Sequence, residues 1–350
     1  MAPFSNLNSA WFALIGVLWA GFLFLEGFDF GVAVVTPFLV RDETDRRLCL
    51  NAVGPTWDGN EVWLLVAGGA TFAAFPTWYA RLFSGFYLAL FLILLALIAR
   101  GVSFEFRDKI DSKRWKRTWD GANFLGSLVP AIVLGVAFTD LAHGLALSAG
   151  GRYYGGILGL LHPIGLVGGL AALAVFCVHG SVFLSLKTTG DLALRARRAA
   201  QILVVPAFVL LAGTVAWVAA AGRPAIGGSL PPVVPLLLGL LSLVSLVIAG
   251  GCIAARRDGL GFAATACMIL LAMGAVFARM FPAVLPSSST GAHSLTIGAA
   301  SAVHSTLVVM SVVAAIFTPI VLGYQAWTYW VFRQRLIRPP LAPEGGRVQA

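Results

Sequence analysis

Nine long apolar stretches, separated by short polar or Gly/Pro-rich dividers, leave this chain few ways to fold. A helix crosses the hydrocarbon core of a bilayer with about 20 apolar residues, because every backbone N–H and C=O must be bonded within the segment where there is no water. The stretches cover residues 9–38, 50–75, 78–100, 119–141, 156–186, 199–221, 232–254, 260–282 and 300–332. The first, fifth and ninth exceed the minimum, which predicts tilt or extension beyond the bilayer. No strand-like alternation competes. The expected fold is an all-α integral membrane protein with nine transmembrane helices, a single polytopic domain over residues 1–350 in which 333–350 form a tail.

Charge supports this reading. Only 11% of residues are charged and 59% are hydrophobic, against about 25% charged in an ordinary soluble domain. A net charge of +9 raises the question of nucleic acid, but that needs Lys and Arg gathered on one soluble face. Here they lie in strips between apolar runs. Assigned alternately to the two sides, 20 Lys and Arg fall on one side and four (Arg81, Arg152, Arg223, Arg279) on the other. The positive-inside rule then places the N-terminus outside and the C-terminus in the cytoplasm. No Lys or Arg precedes Arg41, and the first stretch is too long for a signal peptide, so it is expected to be retained as a span.

Tryptophan favours the headgroup region, and Trp11, Trp78, Trp115, Trp119, Trp217, Trp327 and Trp330 stand near expected span ends. Trp57 and Trp63 do not; they flank acids. Cys49, Cys177, Cys252 and Cys267 have no CxxC spacing and read as small buried hydrophobes, neither a disulfide framework nor a zinc site.

The acids are the chemistry. "FLEGFDFG" places Glu26 and Asp29 inside the first span, and "GPTWDGNEVWLL" places Asp58 and Glu61 inside the second. At 1.5 Å per residue from the basic side, Asp29 and Glu26 lie about 16 and 20 Å deep, Asp58 and Glu61 about 12 and 17 Å. Each pair is spaced i, i+3 and shares a face. Gly27 and Gly31 form a GxxxG pair that admits another backbone, and Gly54 with Pro55 loosens the helix before Asp58. An acid at mid-membrane costs roughly 2.5 to 3.5 kcal/mol. With no cation at that depth, four cannot all be anions, and some carry protons that they can take up and release. Glu61 is the weakest member, its angle turning it towards a neighbouring subunit. The competing reading is structural, with the acids bonded to backbone or to Asn51, Asn60, Trp57 and Trp63.

The histidines offer little. A bis-His haem needs two ligands facing each other at one depth, and only His162 with His304 fits; His143 and His293 fall in outer loops and His179 lies nearer the inner half of the fifth span. The loop "RGVSFEFRDKIDSKRWKRTWD" is the main topology determinant, with Arg100, Glu105 and Asp120 placed to form ion pairs at its edges. The Phe-rich runs are packing or lipid-facing surface along which a quinone tail could lie.

"GFLFLEGFDFGV", "WDGNEVWL" with the run that follows it to "SFEFR", and "MFPAVLPSSST" resemble the characteristic blocks of subunit II of cytochrome bd-type quinol oxidases. The resemblance covers essentially the whole chain and is densest over residues 19–140. It implies nine helices arranged as two four-helix bundles plus one extra helix, in a bacterial cytoplasmic membrane. It implies no catalytic residue and no metal in this chain. A homologous subunit I would hold haems b558, b595 and d, oxidise quinol and reduce oxygen; small single-span accessory subunits and a structural quinone are further expectations. Glu26, Asp29 and Asp58 fall on the family's acidic positions and, with Glu61, would form a proton path supported by Asn60, Trp57 and Arg100. The loop between the sixth and seventh spans is shorter than in several relatives. Two rivals stand beside this reading. A proton-coupled secondary transporter would show repeated halves with paired broken helices, whereas the acids here occupy only the first two spans. A haem-bearing cytochrome is disfavoured by the histidine positions.

Overall fold

The structure, a computed structural model, describes residues 6–222 and 226–338. Arg223, assigned above to the sparsely charged side, and the tail beyond Arg338 lie outside the described residues.

Helix α1 (Leu7–Leu39) starts where the Asn6 side chain accepts from the Ser9 N–H at 2.9 Å, and its 33 residues span about 50 Å, which exceeds a bilayer core of about 30 Å. The chain then forms α2 (Glu43–Val53), α3 (Trp57–Ala74), α4 (Pro76–Gly85), α5 (Tyr87–Phe106), α6 (Lys113–His143), α7 (Gly156–Leu160), α8 (Pro163–Lys187), α9 (Gly190–Ala220), α10 (Val233–Ala254) and α11 (Asp258–Met280). A small antiparallel pair, β1 (Ala283–Leu285) with β2 (Leu295–Thr296), joins Ala283 to Thr296 and Leu285 to Leu295. Helices α12 (Ile297–Ala300) and α13 (His304–Val331) are the last among the described residues.

Among the described residues eight helices are long and apolar enough to cross a membrane: α1, α5, α6, α8, α9, α10, α11 and α13. Helix α3 is not one of them. It has 18 residues and carries Asp58, Asn60 and Glu61 in its first two turns, which lowers its mean hydropathy. The stretch expected as one second span is thus two helices, broken at Gly54–Thr56. Pro55 supplies no N–H and its neighbours leave the helical register. Helix α2 carries Glu43, Asp45, Arg46 and Arg47 and packs beneath α1. Asp58 therefore stands in the first turn of α3 rather than in the interior of one continuous helix from Asn51.

Helices α8, α9, α10 and α11 pack in a closed ring, while α1 packs on α3, α6, α8 and α11, and α5 packs on α6. The crossing of α1 with α8 is close enough to exclude a side chain. A Cβ on Gly31 would lie 1.8 Å from the Phe176 carbonyl oxygen, and one on Gly180 would lie 2.3 Å from the Val32 nitrogen. The GxxxG pair thus admits α8. Helix α13 touches the body chiefly through α1 and α3 and leaves most of its apolar surface exposed.

Ion pairs gather the basic loops at one end. Arg41 pairs with Asp191 at 2.8 Å, Arg195 with Asp45 at 2.7 Å, Arg197 with Asp258 at 2.6 Å and Arg107 with Glu43 at 2.8 Å. After α13 the chain folds back here: the Leu336 N–H donates to the Lys187 carbonyl at 2.7 Å, and Arg338 pairs with Asp42 and Asp45. At the opposite end Leu145 exchanges backbone bonds with Pro286 and Ser288, and Arg81 reaches the Gly151 carbonyl. Trp11 and Trp78 are buried there rather than facing headgroups; the Trp11 indole donates to Ser311 at 3.0 Å. All four cysteines are free, but Cys252 is half-buried and Cys267 exposed, contrary to the expectation of burial.

Candidate functional site

The site lies where α1, α3, α5 and α13 meet. On α1, Glu26 and Asp29 are 0% and 1% exposed. They are i, i+3 on a face that already packs on neighbours, so both carboxylates are drawn into the protein. Opposite them, α5 brings Arg100, 0% exposed. Its Nη1 is bonded to Glu26 Oε1 and stands 3.5 Å from Glu61 Oε2 on α3. The guanidinium lies over two aromatic faces, 5.1 Å from the Phe30 ring centre and 5.7 Å from that of Phe104. Such faces attract a cation.

This overturns the expectation that no cation shares the acids' depth. Taking Arg100 as the last residue of a span ending there puts it at the loop edge with Glu105 and Asp120. Helix α5 runs on to Phe106, which sets Arg100 about 9 Å before its end. Asp120 instead takes Arg107, at 2.7 Å, and Arg46, at 3.4 Å.

Asp29 is held from α3. Asn60 Nδ2 donates to Asp29 Oδ2 at 2.8 Å and to the Leu25 carbonyl at 3.4 Å. Its Oδ1 accepts from Gln325 Nε2 at 3.1 Å and from the Tyr329 hydroxyl at 2.8 Å, both on α13. The Asn60 amide is therefore fixed in one orientation, with its donor end towards the carboxylate. Glu26 Oε2, Asp29 Oδ1, Arg100 Nε and Arg100 Nη2 are buried without a protein hydrogen-bond partner. Buried polar atoms of that kind are usually met by ordered water.

Of the four acids, three surround one guanidinium or its neighbour Asn60, and Asp58 stands apart, exposed on the first turn of α3. Glu61 is half-buried and turned to Arg100. Trp57 stacks on Phe104 with ring centres 4.9 Å apart, and Trp63 packs where Gly21 leaves room on α1. One cation thus stands among three carboxyl groups, so ion pairing with Arg100 can balance the charge of one of them.

Gln325 and Tyr329 went unread in the sequence. They are spaced i, i+4 in an otherwise apolar span, a signal that points both side chains to one side. The histidines do not converge on a haem-like pair: His162 stacks on His143 with ring centres 5.4 Å apart, not on His304, and His179 is buried between Thr265, at 2.7 Å, and the Phe24 carbonyl, at 3.2 Å. Among the described residues no group of three or more His, Cys, Asp or Glu is placed to hold a metal ion.

The sequence profile of the family described as cytochrome bd terminal oxidase subunit II matches residues 7–332. The chain belongs to that family. It is 40% identical to the cytochrome bd ubiquinol oxidase subunit 2 of Bacillus subtilis (strain 168), over 95% of this chain and 97% of that one. It is 37% identical to the cytochrome bd-I ubiquinol oxidase subunit 2 of Escherichia coli (strain K12), over 97% of each. A chain of the solved bd oxidase from Geobacillus thermodenitrificans superposes with a TM-score of 0.73 at 16% identity, over 93% of this chain and 98% of that one, a likeness of fold. The protein is thus a multi-pass membrane subunit of a cytochrome bd terminal oxidase, and the transporter and stand-alone cytochrome readings give way to it.

Proposed function

We propose that this chain is the haem-free subunit II of a quinol-oxidising cytochrome bd complex in a bacterial cytoplasmic membrane, and that it steadies a homologous subunit I and brings protons from the cytoplasm towards the oxygen-reducing centre housed there. The subunit-2 relatives are ubiquinol oxidase subunits by name, which supports quinol as the electron donor and oxygen as the acceptor. Haems b558, b595 and d are assigned to subunit I. Small accessory subunits and bound lipid complete the proposed complex.

In this reading α3 is the ninth span. In its polar start Asn60 and Glu61 are met by side chains of α1, α5 and α13 rather than by lipid, while Asp58 faces outward. Helices α1, α3, α5 and α6 make one four-helix bundle and α8 to α11 the other, with α13 the extra helix whose bare apolar face is offered to subunit I. The single polytopic domain has its N-terminus outside. Its basic end, with residues beyond α13, lies in the cytoplasm. An apolar cavity of about 410 Å³ between α6, α8, α9, α10 and α11, with Arg279 at its rim, suits a structural quinone.

The observation that carries the proton role is the buried Glu26–Arg100–Glu61 group with Asn60-bound Asp29 beside it. Glu26, Asp29 and Glu61 take up protons delivered from the basic end, Asp58 being the exposed acid nearest Glu61, while Asn60, Trp57 and Arg100 hold the carboxylates in place. Glu26→Gln keeps the shape and removes titration. In the assembled complex it is expected to retain all haem bands and lower quinol-driven oxygen consumption and proton uptake by about tenfold or more. Full turnover with normal proton uptake in vesicles would refute the role; loss of the haems would make Glu26 a structural residue.

A further inference from the structure

Helices α5 and α6 are pressed together so closely that a Cβ on Gly126 would meet the Ala96 carbonyl oxygen at 2.5 Å and Arg100 Cβ at 2.6 Å. Between such surfaces a protein gains most from apolar packing, yet polar residues line the seam. Asp120 and Asn123 are i, i+3 on α6; Ser103 and Arg100 are i, i+3 on α5. Asn123 Nδ2 donates to Ser103 Oγ at 3.1 Å, and the Ser103 hydroxyl donates to the Arg100 carbonyl at 2.6 Å. Asn123 and Ser103 are both buried.

Beside the basic end of α6, between α1, α2 and α6, lies a small cavity of about 10 Å³, where the polar side chains of Thr36, Arg46, Asp120 and Asn123 meet apolar ones that include Val32, Ala33, Cys49 and Leu50. That is about the room one water needs, and the Asp120 carboxylate, the Asn123 amide and the Thr36 hydroxyl give it the two to four polar partners a buried water requires. Val32 and Ala33 follow Asp29 by one helical turn, about 5 Å along the axis. Glu26 Oε2 and Asp29 Oδ1, at the far side of that turn, are buried and lack a protein hydrogen-bond partner.

The geometry points to a second way for protons into the carboxylate group, running inside this subunit from the water-sized cavity between α1, α2 and α6 past the Asn123–Ser103 pair that joins α6 to α5, apart from the exposed Asp58. It rests on the proton-path reading above. The step is exchange along hydrogen bonds: a proton from the basic end joins the water at Asp120, and one leaves that water towards Asp29 and Glu26, with no heavy-atom bond made or broken. Asp120, paired with Arg107 and Arg46, is a positioning residue that holds the cavity mouth polar. Asn123 lines the cavity, and Ser103 on α5 accepts from its amide and fixes it there.

A hydrogen bond between helices can also be plain glue, so the test separates passage from packing. The assembled oxidase complex, reconstituted in vesicles, is compared as Asp58→Asn, Asn123→Leu, Ser103→Ala and the two double variants with Asp58→Asn, reading haem content, oxygen consumption and proton uptake. Parallel routes add their rates. Each single variant is expected to keep its haems and lose about two- to threefold in rate, while each double loses far more than the product of its singles. Doubles no slower than Asp58→Asn alone would overturn the second route while leaving the proton role of Glu26 standing. Haem loss in Ser103→Ala, which removes one oxygen atom, would assign the pair to packing and overturn it too. Normal proton uptake in Glu26→Gln would instead sink the parent reading, and this one with it.

Discussion

Arg100 is bonded to Glu26 where neither side chain has any exposure to solvent. A buried pair of this kind gives little net stability over an apolar pair of equal volume, but removing one partner strands the other and costs about 3 to 5 kcal/mol. Arg100→Gln is therefore expected to lower the thermal stability of the purified complex sharply and to reduce its yield. Arg100→Met combined with Glu26→Gln should recover stability but not proton uptake. Equal stability of Arg100→Gln and the parent complex would show that the pair is not held in the assembled oxidase.

The α1–α8 crossing makes a second prediction. Gly31→Ala drives a methyl group into the Phe176 carbonyl, an overpacking that costs about 1 to 3 kcal/mol or more, and it should block assembly. Gly69→Ala, on α3 with nothing within 4 Å of the new carbon, is the control. It should be neutral or slightly stabilising, by up to about 1 kcal/mol, through helix propensity. Membrane yield and melting of the complex decide between them.

Acid should open the basic end. The Asp42 carboxyl is held below its ordinary range, first by the Asp45 backbone N–H and then by Arg338; Glu43 is held low chiefly by its bond to Arg107. Groups with lowered values add stability in full above the ordinary carboxylate pKa of about 4 and lose it as pH falls through the folded-state value. As pH falls below about 4 the segment around Arg338 should thus become open to protease in inverted vesicles. Arg338→Gln should already be open at pH 7 and change less on acidification. Identical cleavage profiles would count against the clamp.

Topology is checked by cysteines placed one at a time at Ser112, the N-cap of α6 at the basic end, and Ser148, at the opposite end, in a chain whose four native cysteines are replaced. An impermeant maleimide should label Ser148→Cys in intact cells and Ser112→Cys only after permeabilisation. Labelling of both from the same side would remove the two-ended arrangement on which the proposed proton role rests.

The long apolar segments and their alternating basic loops were legible in the sequence because both follow from one-dimensional pattern: apolar length and the counting of cations. The partners of Arg100 were not. Its neighbours in the chain suggested a loop-edge pair, and only the continuation of α5 to Phe106 turned it towards Glu26. The break at Gly54–Thr56 was visible as a weakness before Asp58, yet not as a full change of helix, because Pro55 is also compatible with a kinked span. Gln325 and Tyr329 reach Asn60 across 265 and 269 residues of sequence, a distance at which local pattern carries no information. Glu61 and Asp58 exchanged expected places for a similar reason: helical spacing gives the angle between them but not which angle faces α5.

The fold-back after α13 gives these contacts a meaning in time. Asp42 and Asp45 leave the ribosome 296 and 293 residues ahead of Arg338, so throughout synthesis they wait without this partner. Arg338 reaches them only if every intervening helix has been threaded in the proper direction; one hairpin inserted the wrong way round would leave the arginine across the bilayer from its acids. Closure of the clamp thus requires the intervening helices to be threaded in order, and it is made by the segment that follows α13.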